Sequence, residues 1–148
     1  VKFSLTTPRG SLVDTEVEEV TAPGELGEFG VLPGHVALMS ALRPGVLAYK
    51  AKDHTGLVAV GQGFLQVAPT PAAAAAAAAT PRDRVLVLVD QALVASDVDR
   101  EAAERDLQAA DKELAAWTAE LDGAYHALLT RRRWAQARLD AAARLTSH

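Results

Sequence analysis

Two hydrophobic periods divide the chain. Up to about residue 95 the apolar residues fall in short runs cut by Gly, Pro and Asp, which is the punctuation of β-strands. Strands are predicted near Lys2–Thr6, Ser11–Thr21, Gly45–Ala51, Leu57–Val60, Gly63–Val67 and Val85–Val89. Pro8-Arg9-Gly10 and Asp53-His54-Thr55-Gly56 read as turns. In Val85–Val89 valines alternate with leucines, so this strand is expected to be buried on both faces. Short antiparallel strands of this kind close a core as a sandwich or a barrel.

Beyond Ser96 the period becomes helical. Ser96 or Asp97 is the expected N-cap, and Asp97, Asp99 and Glu101 suit the positive end of the helix dipole. Ala103, Leu107, Ala110, Leu114, Trp117 and Leu121 recur at alternating spacings of four and three, a narrow seam of the coiled-coil kind. Asp122-Gly123 breaks it. A second stripe follows with Tyr125, Leu128, Ala135, Leu139 and Ala142, interrupted by Arg132. The short break predicts an antiparallel helical hairpin with Trp117 and Trp134 on its seam or flank. The expected division is therefore a β domain over 1–95 and a two-helix hairpin over 96–148.

Charge adds to this picture. Asp97 to Asp122 carries nine acids against three bases, whereas Gly123 to His148 carries Asp140 alone against Arg131, Arg132, Arg133, Arg138 and Arg144. Attraction between the helices explains the asymmetry, each exposed pair contributing about 0–1 kcal/mol. A second, acidic partner for the basic helix explains it equally.

Two segments fit neither period. Ala22 to His35 has four glycines and two prolines with apolar residues threaded between them. Glycine permits positive φ and close backbone approach, and proline fixes φ, so the run specifies one bent path and not a floppy linker. The alanine-rich segment within 70–84 is read as an extended hairpin loop, because an isolated helix so short is marginal in water.

Composition mainly excludes. A chain of 148 residues suits one domain, or one small domain with an appendage. A net charge of -4 exerts no general pull toward nucleic acid. Absence of cysteine excludes disulfides and thiolate metal sites. No secretory signal is read at Val1–Leu5, and no apolar run reaches the roughly 18 residues of a membrane span. There is no Walker A sequence, no Gly-x-Ser-x-Gly elbow and no paired metal-ligand spacing among His35, His54, His126 and His148. Gly61-Gln62-Gly63 lacks the third glycine of a dinucleotide fingerprint and reads as a tight turn. Glu16, Glu18 and Glu19 read as a solvated strand face. No catalytic residue, metal or cofactor is therefore expected.

The ordered motifs resemble a known family, the bacterial epsilon subunit of the F-type ATP synthase. Thr7-Pro8-Arg9-Gly10 resembles its opening turn, and Glu16 to Gly24 the strand that follows. Gly27 to His35 is similar to the family's Gly-Glu-Leu-Gly-Val-Leu-Pro-Gly-His, with Phe29 for leucine. Leu42-Arg43-Pro44-Gly45-Val46-Leu47 and Gly63-Phe64-Leu65-Gln66-Val67 resemble two further family steps. The resemblance implies a ten-stranded antiparallel β-sandwich followed by an antiparallel α-helical hairpin. It implies a non-catalytic central-stalk subunit, peripheral at the cytoplasmic face of the bacterial inner membrane.

Within that resemblance the sandwich binds the gamma subunit and the c-ring, through Glu25, Glu28, Phe29, Leu32, Pro33 and His35. The hairpin, when extended, inhibits ATP hydrolysis, and Arg131, Arg132, Arg133 and Arg138 face the alpha and beta subunits of the catalytic head. Val98-Asp99-Arg100-Glu101-Ala102-Ala103 resembles the family's nucleotide motif and keeps Asp99 and Ala103. Ala102 replaces its arginine, and without that guanidinium no working ATP site is expected. A free-standing β-sandwich adaptor with a helical arm is the alternative. It explains the periods but not the Gly/Pro runs.

Overall fold

In the computed structural model, residues 2–32, 38–68 and 84–146 are described. Pro33, His35 and nearly all of the alanine-rich segment lie outside them. The elements are β1 (Lys2–Thr7), β2 (Gly10–Glu16), β3 (Glu19–Gly24), β4 (Gly27–Val31), β5 (Leu38–Leu42), β6 (Gly45–Lys50), β7 (Thr55–Val60), β8 (Gly63–Ala68), β9 (Arg84–Val89) and β10 (Ala92–Val94). A 3-10 turn at Ala95–Asp97 leads to α1 (Arg100–Ala115) and α2 (Gly123–Thr146).

The strands run in the order β10-β7-β6-β3-β5-β8-β9-β1-β2, with β4 on the free edge of β3. The beginning of β3 pairs with β6, and its last residue, Gly24, pairs with Leu42 of β5. The continuous ladder thus bends at β3 into two layers. Phe3, Leu5, Val20, Ala22, Leu47, Val58, Val60, Leu65, Val67, Val85, Val87 and Val89 meet between them as one core. Each core strand contributes alternate residues, as the period of two requires.

The ladders are not all antiparallel: β1 runs parallel to β9, with Phe3 opposite Val85 and Leu5 opposite Val87. β9 is committed to β8 by an antiparallel ladder, and β1 closes the layer beside it in the direction that buries Phe3 and Leu5. The long strand expected over Ser11–Thr21 is two strands. The chain bends at Val17-Glu18, where Val17 enters the core and the Glu18 N–H donates to the Lys50 carbonyl at 2.6 Å.

The expected loop at Ala22 to His35 contains a β-hairpin, β3–β4, turning at Glu25-Leu26. Gly27 adopts φ +134°, a conformation that side chains disfavour. A Cβ on Gly24 would lie 2.7 Å from the Gly27 carbonyl oxygen and 2.8 Å from the Phe29 ring. The glycines therefore make a tight strand pair possible instead of breaking one. Gly61-Gln62 forms the β7–β8 turn, held by Gly61 N–H to Gln91 and Asp90 N–H to Gln62 bonds.

α1 starts later than expected, because the 3-10 turn takes up Ser96 and Asp97. Asp99 is the N-cap, its Oδ1 accepting from the Ala102 N–H at 3.1 Å. α1 also stops at Ala115, before Trp117 and Leu121. Trp117 instead packs against Tyr125 across the hairpin turn, ring centres 5.7 Å apart and planes tilted by 57°, and donates Nε1–H to the Glu120 carbonyl. Asp122 caps α2 by accepting from the Ala124 and Tyr125 N–H groups. Buried Ala103 and Ala110 on α1 and buried Leu128, Ala135 and Ala142 on α2 lie along the two expected stripes.

Candidate functional site

The sandwich has two outer faces, and the chain treats them differently. On one layer Val46, Leu57 and Ala59 point away from the core and are buried under Ala141 and Trp134 of α2. On the other layer the corresponding residues are Met39 of β5, Phe64 of β8 and Leu86 and Leu88 of β9, exposed to 65%, 56%, 37% and 49%. Register sets Met39 opposite Gln66, Phe64 opposite Leu88 and Gln66 opposite Leu86, so they form one contiguous patch. They line an apolar depression of about 300 Å³. The expectation that Val85–Val89 is buried on both faces fails here: the valines are buried, and no described residue covers the leucines.

At one end of the sandwich stands the β3–β4 hairpin. Glu25 and the fully exposed Leu26 form its tip, and Glu28 is exposed on β4. Phe29 turns the other way, packing its ring against the core. Leu32 is exposed just after β4. Glu25, Glu28 and Leu32 thus share one protruding arm, whereas Phe29 supports it from within.

Of the four candidate arginines on α2, three turn to α1. Arg131 pairs with Glu113 at 3.5 Å, Arg132 with Asp111, and Arg138 with Asp106 at 2.7 Å. Arg133 is exposed and makes no such pair among the described residues. Arg138 is the most enclosed: its side chain is 13% exposed, its guanidinium lies 5.4 Å from the centre of the Trp134 ring, and its Nε has no hydrogen-bond partner. In this folded arrangement the acidic helix is the partner of the basic one.

Asp99 and Ala103 hold structural positions. The Asp99 carboxylate caps α1, and Ala103 is completely buried. Among the described residues no group of three or more His, Asp or Glu side chains could hold a metal ion. One carboxylate departs from its ordinary range. A hydrogen bond from the His54 ring at 2.8 Å, followed by a backbone hydrogen bond, holds the exposed Asp53 carboxyl below the usual value.

Sequence reasoning missed the Met39, Phe64, Leu86 and Leu88 surface as a site. Its signal was present in the two-sided apolar run of β9.

Comparison with known proteins agrees with this architecture. Residues 1–95 match the family model described as ATP synthase, Delta/Epsilon chain, beta-sandwich domain. The ATP synthase epsilon chain 2 of Syntrophotalea carbinolica is 36% identical over 99 residues, covering 67% of this chain and 62% of the relative. The ATP synthase epsilon chain of Anoxybacillus flavithermus is 38% identical over 99 residues, covering 67% of this chain and 64% of the relative. The matched region thus spans less than two thirds of either relative's length. Among solved structures, a chain from the Euglena gracilis mitochondrial ATP synthase OSCP/F1/c-ring assembly superimposes with a TM-score of 0.64 at 20% identity, covering 99% of this chain and 80% of that one. A chain from the Tetrahymena thermophila mitochondrial ATP synthase central stalk and c-ring gives 0.60 at 16% identity, covering 95% of each. At those identities the likeness is one of fold. On the match over its first 95 residues, this chain belongs to the ATP synthase delta/epsilon family.

Proposed function

We propose that the chain is a non-catalytic rotor subunit in the central stalk of a proton-translocating F-type ATP synthase. It couples rotation of the c-ring to ATP synthesis through gamma. The observation that carries this reading is the bare apolar face of Met39, Phe64, Leu86 and Leu88. Contiguous apolar surface of this kind marks a docking site, and the other outer face of the same sandwich is already covered by the chain's own helix.

In this reading the bare face docks on gamma, and the Glu25, Leu26, Glu28 and Leu32 arm reaches the c-ring. The arm suits a rotating joint because its path is set by the glycine-dependent hairpin, so little ordering accompanies binding. No helix among the described residues is long and apolar enough to cross a membrane. The chain is held at the cytoplasmic face of the inner membrane by its partners. The division of labour follows the expected boundary, with 1–95 as the stalk-binding sandwich and 96–148 as the regulatory hairpin.

The hairpin's role is inhibition of ATP hydrolysis when it extends toward the alpha and beta subunits. Arg131, Arg132, Arg133 and Arg138 supply its positive charge, and the lopsided charge of the two helices supports this. The test is co-purification of the chain with a membrane-bound, ATP-hydrolysing assembly, followed by hydrolysis assays on the assembly carrying Arg131→Gln, Arg132→Gln and Arg133→Gln together. Co-purification and a several-fold rise in hydrolysis are expected. A chain found free of the assembly contradicts the stalk reading, and unchanged hydrolysis contradicts the inhibitory one.

A further inference from the structure

One polar side chain stands within the apolar patch of the open face. Gln66 of β8 is paired across the ladders with Met39 of β5 on one side and Leu86 of β9 on the other. Along its own strand, the neighbours on the same face are Phe64 and Ala68. All four are apolar. Gln66 lines the depression of about 300 Å³ together with Met39, Phe64, Leu86 and Leu88. Its side chain is exposed, and its amide makes no hydrogen bond among the described residues.

No charged residue lines the depression. Ser4 and Thr6 of β1, opposite Leu86 and Leu88, extend the face with neutral hydroxyls. Charge begins one row beyond, at Arg84 of β9 and at Lys2 of β1, the latter 4.0 Å from Asp14 of β2. A partner that covers the apolar residues must also expel the water around Gln66. The amide is then either satisfied by the partner or stranded, and a stranded amide weakens binding about tenfold or more. A primary amide offers two donors and one acceptor oxygen, so its natural complement is neutral. An ionised group set against it would lose its hydration with no opposite charge to replace it.

We propose that Gln66 is a specificity-determining residue of the docking face, matched by a neutral hydrogen-bonding group set within an apolar patch of the partner. That group is a side-chain amide or an unpaired backbone N–H or C=O. The proposal rests on the stalk reading, in which the partner is gamma. The apolar residues supply contact area that many surfaces could match, whereas the amide fixes the register. No other polar side chain lines the depression, so a partner shifted along the face leaves Gln66 unpaired.

The test uses the full chain and the membrane-bound ATP-hydrolysing assembly depleted of its own copy, with dissociation constants read by titration against labelled chain. Gln66→Met keeps the length of the side chain and removes the amide. It should bind at least about tenfold more weakly than the unaltered chain. A bystander glutamine gives the opposite sign: Gln66→Met then binds equally or more tightly, because the apolar contact grows, and that result overturns the inference. Gln66→Glu and Gln66→Lys should each also weaken binding at least about tenfold. Equal or tighter binding by either would mean that the facing group is an ion, which overturns neutral pairing. The side chain is exposed, so all three variants should keep the stability of the isolated chain, checked by urea unfolding. Phe64→Asp reports on the stalk reading separately. Full binding by that variant, or no binding by the unaltered chain, overturns the reading itself and the inference with it. Dimerisation of the isolated chain that Phe64→Asp abolishes would assign the face to a second copy, and would likewise overturn both.

Discussion

The two outer faces of the sandwich are built from the same alternating strands, yet among the described residues one is closed by the chain's own helix and the other is left open. The closed face uses small or medium residues, Val46, Ala48, Leu57 and Ala59, and the helix over it presents Ala141 beside Trp134. The alanines on both sides, Ala48 and Ala59 of the sheet and Ala141 of the helix, let the helix lie close to the sheet. The open face uses Met39, Phe64, Leu86 and Leu88, side chains long enough to fill pockets on another surface. Leucines lie on both faces, but Met39 and Phe64 have no counterpart of their length on the closed sheet face.

The largest expected effect comes from breaking the closed face. Ala141→Asp would place an unpaired charge where the side chain is fully buried, at a cost of about 3 kcal/mol, and should release the hairpin. Urea unfolding followed by tryptophan fluorescence should show this, because Trp134 lies in the same contact. A single unshifted transition would mean that α2 contributes little to the closed face.

Next in size is the pair that fastens the two helices. Asp106→Ala leaves the enclosed Arg138 guanidinium without its carboxylate and should lower stability by about 1–2 kcal/mol. Arg138→Met removes both the charge and the unpartnered Nε, and should change stability by less than about 1 kcal/mol. Equal losses for the two variants would contradict the view that the cost lies in the stranded charge.

Substitutions on the open face should barely affect the isolated chain. Phe64→Asp and Leu88→Asp are each expected to shift its stability by about 0.5 kcal/mol or less, measured by the same urea unfolding, because both side chains already face solvent. A loss approaching that of Ala141→Asp would show that the face is structural.

The smallest effect lies away from both faces. His54→Asn removes the ring beside Asp53, so the carboxyl should titrate nearer its ordinary value, read from its side-chain carbon shift by NMR. The sign follows from the depressed value: any contribution from this contact is present above the unfolded-state pKa and is lost as pH falls through the folded-state one. No movement on substitution would assign the depression to the backbone hydrogen bond.

Legibility in the sequence followed local physics. The strands around Lys2, Gly45, Leu57, Gly63 and Val85 and both helical stripes were readable, because a period of two or of 3.6 is a local signal. The β3–β4 hairpin was not, because Gly24 and Gly27 look like breakers, and only the closeness of Gly24 to the Phe29 ring explains why glycine is required there. β10, at three residues, is too short to show any period. The Val85–Val89 run is the instructive case. Its two apolar faces were evident, but a local pattern does not say whether the second face is covered by the same chain or by another.

The central claim is that the open face is the docking face of a stalk subunit. The most direct measurement is co-purification of the Phe64→Asp, Leu88→Asp double variant with the membrane-bound ATP-hydrolysing assembly. Leu121→Asp, exposed at the hairpin turn, serves as the control. The double variant should be lost from the assembly while remaining folded, and the control should be retained. Retention of the double variant at the wild-type level would contradict the account.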